Sequence, residues 1–224
     1  MSLTWIIGGT SGIGQACSEL LKQFDGQEII VSGSEVDVRH PDQLFTFLAS
    51  QEATGQVNNL IYSAGINKLE WSQIVDPEEM LDLYHVNVLG LINVLQMLPN
   101  LRRCVVVGSD AAWREMRTSV AYCASKAALH QAVRVIARER ASEEFAINVV
   151  APGMTDDTKM QEYVDETVPK IRRWTTERAR EYEGSQIPLG RRAKPDEIAS
   201  VILSVMFMPT NYLNGAIIPV NGGR

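Results

Sequence analysis

A short apolar run over 3–7 passes directly into Gly8-Gly9-Thr10-Ser11-Gly12-Ile13-Gly14, and then into a stretch with Ile13, Ala16, Cys17, Leu20 and Leu21 at helical spacing. This is a buried strand, a tight turn and an amphipathic helix in immediate succession. The glycine spacing is Gly-x-x-x-Gly-x-Gly. Glycine lets a backbone approach a pyrophosphate closely, and a helix N-terminus favours its negative charge. No Lys-Ser/Thr pair follows the last glycine, so the turn is not a Walker loop. A dinucleotide is the ligand that this unit best fits.

The rest of the chain repeats the alternation. Apolar runs predict strands over 3–7, 28–32, 59–63, 104–108, 146–151 and 216–220. Helical periodicity predicts helices over 12–24, 41–53, 77–98, 119–142 and 195–208, with Pro41 suited to a first turn. Strands alternating with helices imply an α/β fold, a doubly wound parallel sheet of Rossmann-like type. No linker divides the 224 residues, so one domain over 1–224 is expected. In such sheets ligands bind beyond the carboxyl ends of the strands. Gly8, Ser63, Ser109 and Pro152 close or follow strands and are expected to converge there.

Tyr122 and Lys126 stand four residues apart, one turn of helix, with Ser109 thirteen residues upstream. Residues at that helical spacing share a face. A nearby ammonium favours the phenolate, so Lys126 is expected to lower a tyrosine pKa that is otherwise about 10. The group can move the proton that accompanies a hydride transfer.

The net charge is −6 and no basic stripe is present, which argues against nucleic-acid binding. Lys170, Arg172, Arg173, Arg178 and Arg180 are interleaved with glutamates and read as a solvated helix face. Cys17, Cys104 and Cys123 show neither metal-ligand nor redox spacing, and Cys17 and Cys104 fall at core positions. The histidines are scattered, so no metal is expected. No segment is apolar enough to cross a bilayer, and a reducing cytoplasm is the expected location.

With these motifs in view, the chain resembles the short-chain dehydrogenase/reductase family over nearly its whole length. The glycine loop matches. Tyr62-Ser63-Ala64-Gly65 stands where the family has Asn-Asn-Ala-Gly, and Asn87 in His85-Val86-Asn87-Val88 matches its active-site asparagine. Ser109 and Tyr122-Cys123-Ala124-Ser125-Lys126 match its serine and Tyr-x-x-x-Lys. Pro152-Gly153, Pro188-Leu189-Gly190-Arg191, Pro195-Asp196-Glu197-Ile198-Ala199 and Val220-Asn221-Gly222-Gly223 match later segments. The resemblance implies Tyr122 as general acid/base, Ser109 bonding the substrate oxygen, Lys126 on the nicotinamide ribose, and Asn87 supporting a water that relays protons to Lys126. It implies cofactor contacts at Gly8, Thr10, Ser11, Gly12, Ile13 and Gly14, at Ser32, Gly33, Ser34 and Asp37, at Ser63, Ala64 and Gly65, at Tyr122 and Lys126, and at Pro152, Gly153 and Thr155.

The chain departs from the family in one conspicuous place. Ser32-Gly33-Ser34-Glu35 leads at once to Val36-Asp37-Val38, too short for a crossover of about a dozen residues. The family's helix between its second and third strands is therefore missing, and any strand at Val36 is short, displaced or absent. Ser32, Gly33 and Ser34 offer hydroxyls and backbone amides but no carboxylate, which tips the choice toward NADP over NAD; Glu35 and Arg39 lie near enough to alter it. Segment 156–186 is expected to cover the active site, and Trp113 and Met116 to meet a small-molecule substrate. Helices 77–98 and 119–142 form subunit contacts in many relatives, which implies a homodimer or homotetramer. The activity implied is NAD(P)-dependent oxidoreduction of a secondary alcohol or ketone. The alternatives are a 3-oxoacyl-thioester (acyl-carrier-protein) reductase and a non-catalytic cofactor-binding regulator.

Overall fold

The computed structural model describes residues 2–224. Its strands are β1 (Ser2–Ile7), β2 (Gln27–Ser32), β3 (Asn59–Tyr62), β4 (Arg103–Val107), β5 (Ala146–Pro152) and β6 (Ile217–Val220). They pair in parallel in the order β2-β1-β3-β4-β5-β6. The helices are α1 (Gly12–Leu21), α2 (Pro41–Ser50), α3 (Pro77–Tyr84), α4 (Gly90–Met97), α5 (Val120–Glu139), α6 (Lys159–Arg172), α7 (Thr176–Ser185) and α8 (Pro195–Met206). The fold is the single-domain, doubly wound α/β sheet that the alternating pattern predicts.

Successive strand residues point to opposite faces. Trp5 and Ile7 therefore join one core with Leu44 of α2, Leu91 of α4 and Leu129 of α5. Ile6 joins the other, with Cys17 of α1 and Ile202 of α8. Strand order reverses at β1, which has β2 on one side and β3 on the other. The connections leaving β1 and β3 diverge there, and the divergence opens a crevice at the strand ends.

The helix expected to be missing after β2 is absent. Turns carry the chain from Gly33 to α2, with Val36 N donating to Gly33 O (3.3 Å) and His40 N to Asp37 O (3.0 Å). No strand forms at Val36, and Val36 and Val38 instead bury their side chains in the core. This leaves β2 as an edge of the sheet.

The helix predicted over 77–98 is not continuous. A π-helical turn, His85–Leu89, separates α3 from α4. The Tyr62 hydroxyl donates to Val86 O (2.8 Å) inside that turn. Gly90 makes room for it, since a Cβ there would lie 2.5 Å from the Tyr62 hydroxyl. Such bulges arise where a side chain intrudes on the helical ladder. Tyr62, standing in place of the family's asparagine, is what pins β3 to this helix. Segment 156–186 forms α6 and α7. Their N-caps are Thr158 and Thr175, which accept from Gln161 N (3.1 Å) and Arg178 N (3.2 Å).

Candidate active site

The glycine loop is shaped by close backbone approaches. Gly8 has φ +75°, and a Cβ on it would lie 2.8 Å from Ala64 N. A Cβ on Gly14 would lie 2.2 Å from Gly8 O, so α1 rests directly on the loop. Gly9 N donates to Ser32 O (2.9 Å), tying the loop to the end of β2. Ser11 makes no side-chain cap, and the first turn of α1 holds no acidic residue. Free N–H groups and the positive end of the helix dipole are thus left for an anion.

A cavity of about 640 Å³ runs along this edge of the sheet. Gly8, Thr10, Ser11, Gly12 and Ile13 line it from the loop. Gly33, Ser34 and Asp37 line it beyond β2, and Ser63, Ala64 and Gly65 beyond β3. Ser109, Tyr122 and Lys126 line it beside Pro152, Gly153 and Thr155. The volume is that of a ligand pocket. A glycine turn that admits no Cβ, a helix N-terminus without its own cap and a cleft of this size together fit a dinucleotide.

Three of the expected cofactor-binding and catalytic residues do not line the cavity. Gly14 serves packing. Ser32 is fully buried, and its Oγ accepts from Trp5 Nε1 (3.1 Å), so its hydroxyl is spent inside the fold. The Gly33 amide is also engaged, donating to Glu35 Oε1 (2.7 Å). Arg39 lines the cavity instead, its guanidinium held by Asp37 (2.7 Å) and Asp82 (3.3 Å).

Asn87 is the third. It is fully buried in the π turn; its Oδ1 accepts from Ile66 N (2.9 Å), and its Nδ2 donates to Ile66 O (3.0 Å) and Ser125 Oγ (2.9 Å). These bonds occupy the amide and fix the loop after β3. The Asn87 amide thus acts as a direct strut for this loop, and Asn87 Oδ1 and Lys126 Nζ both border Gly65.

Tyr122 and Lys126 are buried on one face of α5. Lys126 Nζ donates to Val107 O (3.1 Å) and lies 5.8 Å from the Tyr122 ring centroid. Burial pushes the Tyr122 hydroxyl up to about 12, against a smaller lowering by the Ser109 hydroxyl. Burial also brings Lys126 down to about 8. The expected lowering of the tyrosine by the lysine is therefore overturned: desolvation of the phenolate dominates. Ser109 Oγ accepts from Ala111 N (3.2 Å), and Ser109 N donates to His130 Nε2 (3.3 Å). His130, one turn beyond Lys126, was not singled out from the sequence, yet its spacing on α5 would have placed it on the same face.

The substrate end is formed partly as expected. Met116, Met160, Val164 and Val168 line the cavity. Trp113 does not; its ring lies tilted against His130 with centroids 5.7 Å apart, and it is 45% exposed. Arg172, read as part of a solvated face, turns inward and donates to Arg117 O (2.6 Å). Asp110, Arg114 and Arg224 line the cavity too. No motif marks them, and only their closeness to Ser109 in sequence or space reveals them. Among the described residues no helix is long and apolar enough to cross a membrane, and no cluster of three or more side chains could hold a metal ion.

A family model described as "Enoyl-(Acyl carrier protein) reductase" matches residues 10–224. Carbonyl reductase family member 4 of Danio rerio is 30% identical over 246 residues, covering 99% of this chain and 97% of the relative. A short chain dehydrogenase family protein of Francisella tularensis superposes with a TM-score of 0.89 at 25% identity, covering 100% of this chain and 98% of the other. The chain belongs to the short-chain dehydrogenase/reductase family. This dehydrogenase/reductase is accordingly an NAD(P)-dependent oxidoreductase. The 3-oxoacyl-[acyl-carrier-protein] reductase MabA of Mycobacterium tuberculosis is 29% identical over 97% of it and 90% of the relative. The NADPH-bound actinorhodin polyketide ketoreductase shares the fold of the dehydrogenase/reductase, with a TM-score of 0.90 at 22% identity over 99% of this chain and 96% of the other.

Proposed function

We propose that the protein interconverts a ketone and a secondary alcohol, with Tyr122 exchanging the proton on the substrate oxygen. The bound nicotinamide supplies or takes up the hydride. The observation that carries this reading is that Ser109, Tyr122 and Lys126 line the same cavity as the glycine loop. Ser109 orients the substrate oxygen. Tyr122, with its high proton affinity, holds its proton at neutral pH and is poised to donate it to a carbonyl oxygen. Lys126 and Tyr122 face the nicotinamide ribose, and Pro152, Gly153 and Thr155 the carboxamide. Gly8, Thr10, Ser11, Gly12 and Ile13 hold the pyrophosphate, with Ser63, Ala64 and Gly65 along the opposite wall. Asp37 faces the adenine. Asn87 positions the Gly65–Ile66 backbone, and segment 156–186 covers the substrate.

The proposed cofactor is NADP. Ser32 and the Gly33 amide are engaged elsewhere, but Thr10, Ser34 and the cation of Arg39 remain on the cavity. The Arg39 pair is well exposed, and exposed pairs exchange partners at little cost. Leu81 on α3 and Val135 on α5 are 49% and 44% exposed, and a homodimer through these helices would cover them; light scattering in solution tests this. A second reading, reduction of a 3-oxoacyl thioester, is favoured by the similarity to the Mycobacterium reductase.

Fluorescence titration with NADPH and NADH, followed by turnover on small ketones and on 3-oxoacyl thioesters, tests these readings. Tyr122→Phe is expected to lose about two to four orders of magnitude in kcat while retaining cofactor affinity. Undiminished turnover in that variant would refute the assignment.

A further inference from the structure

The substrate end of the cavity contains charged groups that the proton-transfer centre does not use. Asp110 follows Ser109 directly, and its side chain is 4% exposed. The Arg224 side chain, 6% exposed, faces it at 3.8 Å, too far for a hydrogen bond. Asp110 Oδ2, Arg224 Nε and Arg114 Nε are all buried without a hydrogen-bond partner. Burial raises the Asp110 carboxyl, and the charges of Arg224 and Arg114 counter that rise. The next carboxylate, Glu183, is bonded to Arg192, which also holds Asp165 and Asp156. Its Oε2 is committed to that arginine.

Buried charged groups are normally fully hydrogen-bonded, because desolvation otherwise goes uncompensated. Here the donors left over belong to arginines, whose planar forks match carboxylate and phosphate oxygens. All three residues line the same cavity as Ser109 and Tyr122.

We infer that the substrate is a short oxo or hydroxy compound bearing an anionic group, a carboxylate or a phosphate, which Arg224 and Arg114 bind beside the Ser109–Tyr122 pair. The inference deepens the ketone–alcohol reading and rests on it. Asp110 neighbours Ser109 in the chain, and the arginines line the same cavity as the Ser109–Tyr122 pair. That favours a small oxo acid or phosphorylated ketone over a long acyl thioester.

The test compares matched probes in the full chain with its preferred cofactor: acetoacetate against ethyl acetoacetate, and dihydroxyacetone phosphate against dihydroxyacetone. The charged member of at least one pair is expected to win in kcat/KM by about tenfold or more, and which pair responds separates carboxylate from phosphate. In Arg224→Gln that ratio is expected to fall by about ten- to a hundredfold, the range for losing charge-assisted hydrogen bonds, and Arg224→Lys is expected to restore part of it. Asp110→Asn/Arg224→Gln removes both charges and guards against misfolding caused by one unpaired group. Equal or better turnover of the neutral members, or an equal loss for both members in the variants, overturns the inference. Absence of turnover with every probe would instead refute the ketone–alcohol reading. In that case, 3-hydroxybutyrate and inorganic phosphate decide the anion site by their effect on the unfolding temperature. A rise in the native chain that is lost in the double variant upholds the site, and no rise overturns it.

Discussion

Replacing Asn87 with alanine separates a strut from a relay. The native amide makes three hydrogen bonds, with Ile66 N, Ile66 O and Ser125 Oγ, and is itself fully buried. Each bond contributes about 1 kcal/mol, and the groups stranded by its loss add a desolvation cost. Asn87→Ala is therefore expected to lose about 3 kcal/mol of stability. For a domain of this size that lowers Tm by about 6–12 °C. Ile66 and Gly65 line the cavity, so cofactor affinity should weaken together with Tm. Asn87→Asp keeps an acceptor for Ile66 N but sets a carboxylate against the Ile66 carbonyl, and is expected to be at least as damaging. Differential scanning calorimetry and a nicotinamide fluorescence titration measure both effects. If Asn87→Ala kept native Tm and cofactor affinity while kcat collapsed, the strut would be wrong and proton relay would be its main role.

Other perturbations probe separate parts of the site. Arg39→Ala is expected to weaken NADPH about tenfold and leave NADH within about twofold, since only the former carries the extra phosphate; equal effects on both would remove Arg39 from cofactor choice. Gly14→Ala drives a Cβ to 2.2 Å from a backbone oxygen, which cannot yield as a side-chain tip can. A cost of about 1–3 kcal/mol and weaker cofactor binding are expected, whereas Gly184→Ala, with open space around it, should stabilise α7 slightly. Burial lowers His130 from 6.5 to about 4, so unfolding takes up a proton across that window and stability falls as pH falls through it. His130→Gln keeps an acceptor for Ser109 N without a titrating ring and should flatten that acid limb, by up to about 3 kcal/mol; an unchanged limb would assign it to other groups.

Much of this was legible in the sequence because it depends on local periodicity. The strand and helix order, the glycine turn and the shared face of Tyr122 and Lys126 follow from periods of two and of 3.6 residues. The break in the helix at His85–Leu89 was not legible, because it depends on Tyr62, a residue from another element, reaching Val86. Ser32 looked available for a cofactor until the fold set Trp5 against it. The direction of the Tyr122 shift was misjudged for a related reason: sequence spacing reports a neighbouring charge but not the depth of burial. Arg224 and Asp110 lie more than a hundred residues apart and meet only in the folded chain.

The helix carrying the glycine turn packs against α8, which comes far later in the chain. A ribosome therefore delivers the nucleotide loop long before its buttress. The cleft is complete only once α8 has been made, and nascent chains arrested before residue 195 are expected to pass through an immobilised-nucleotide column unretained.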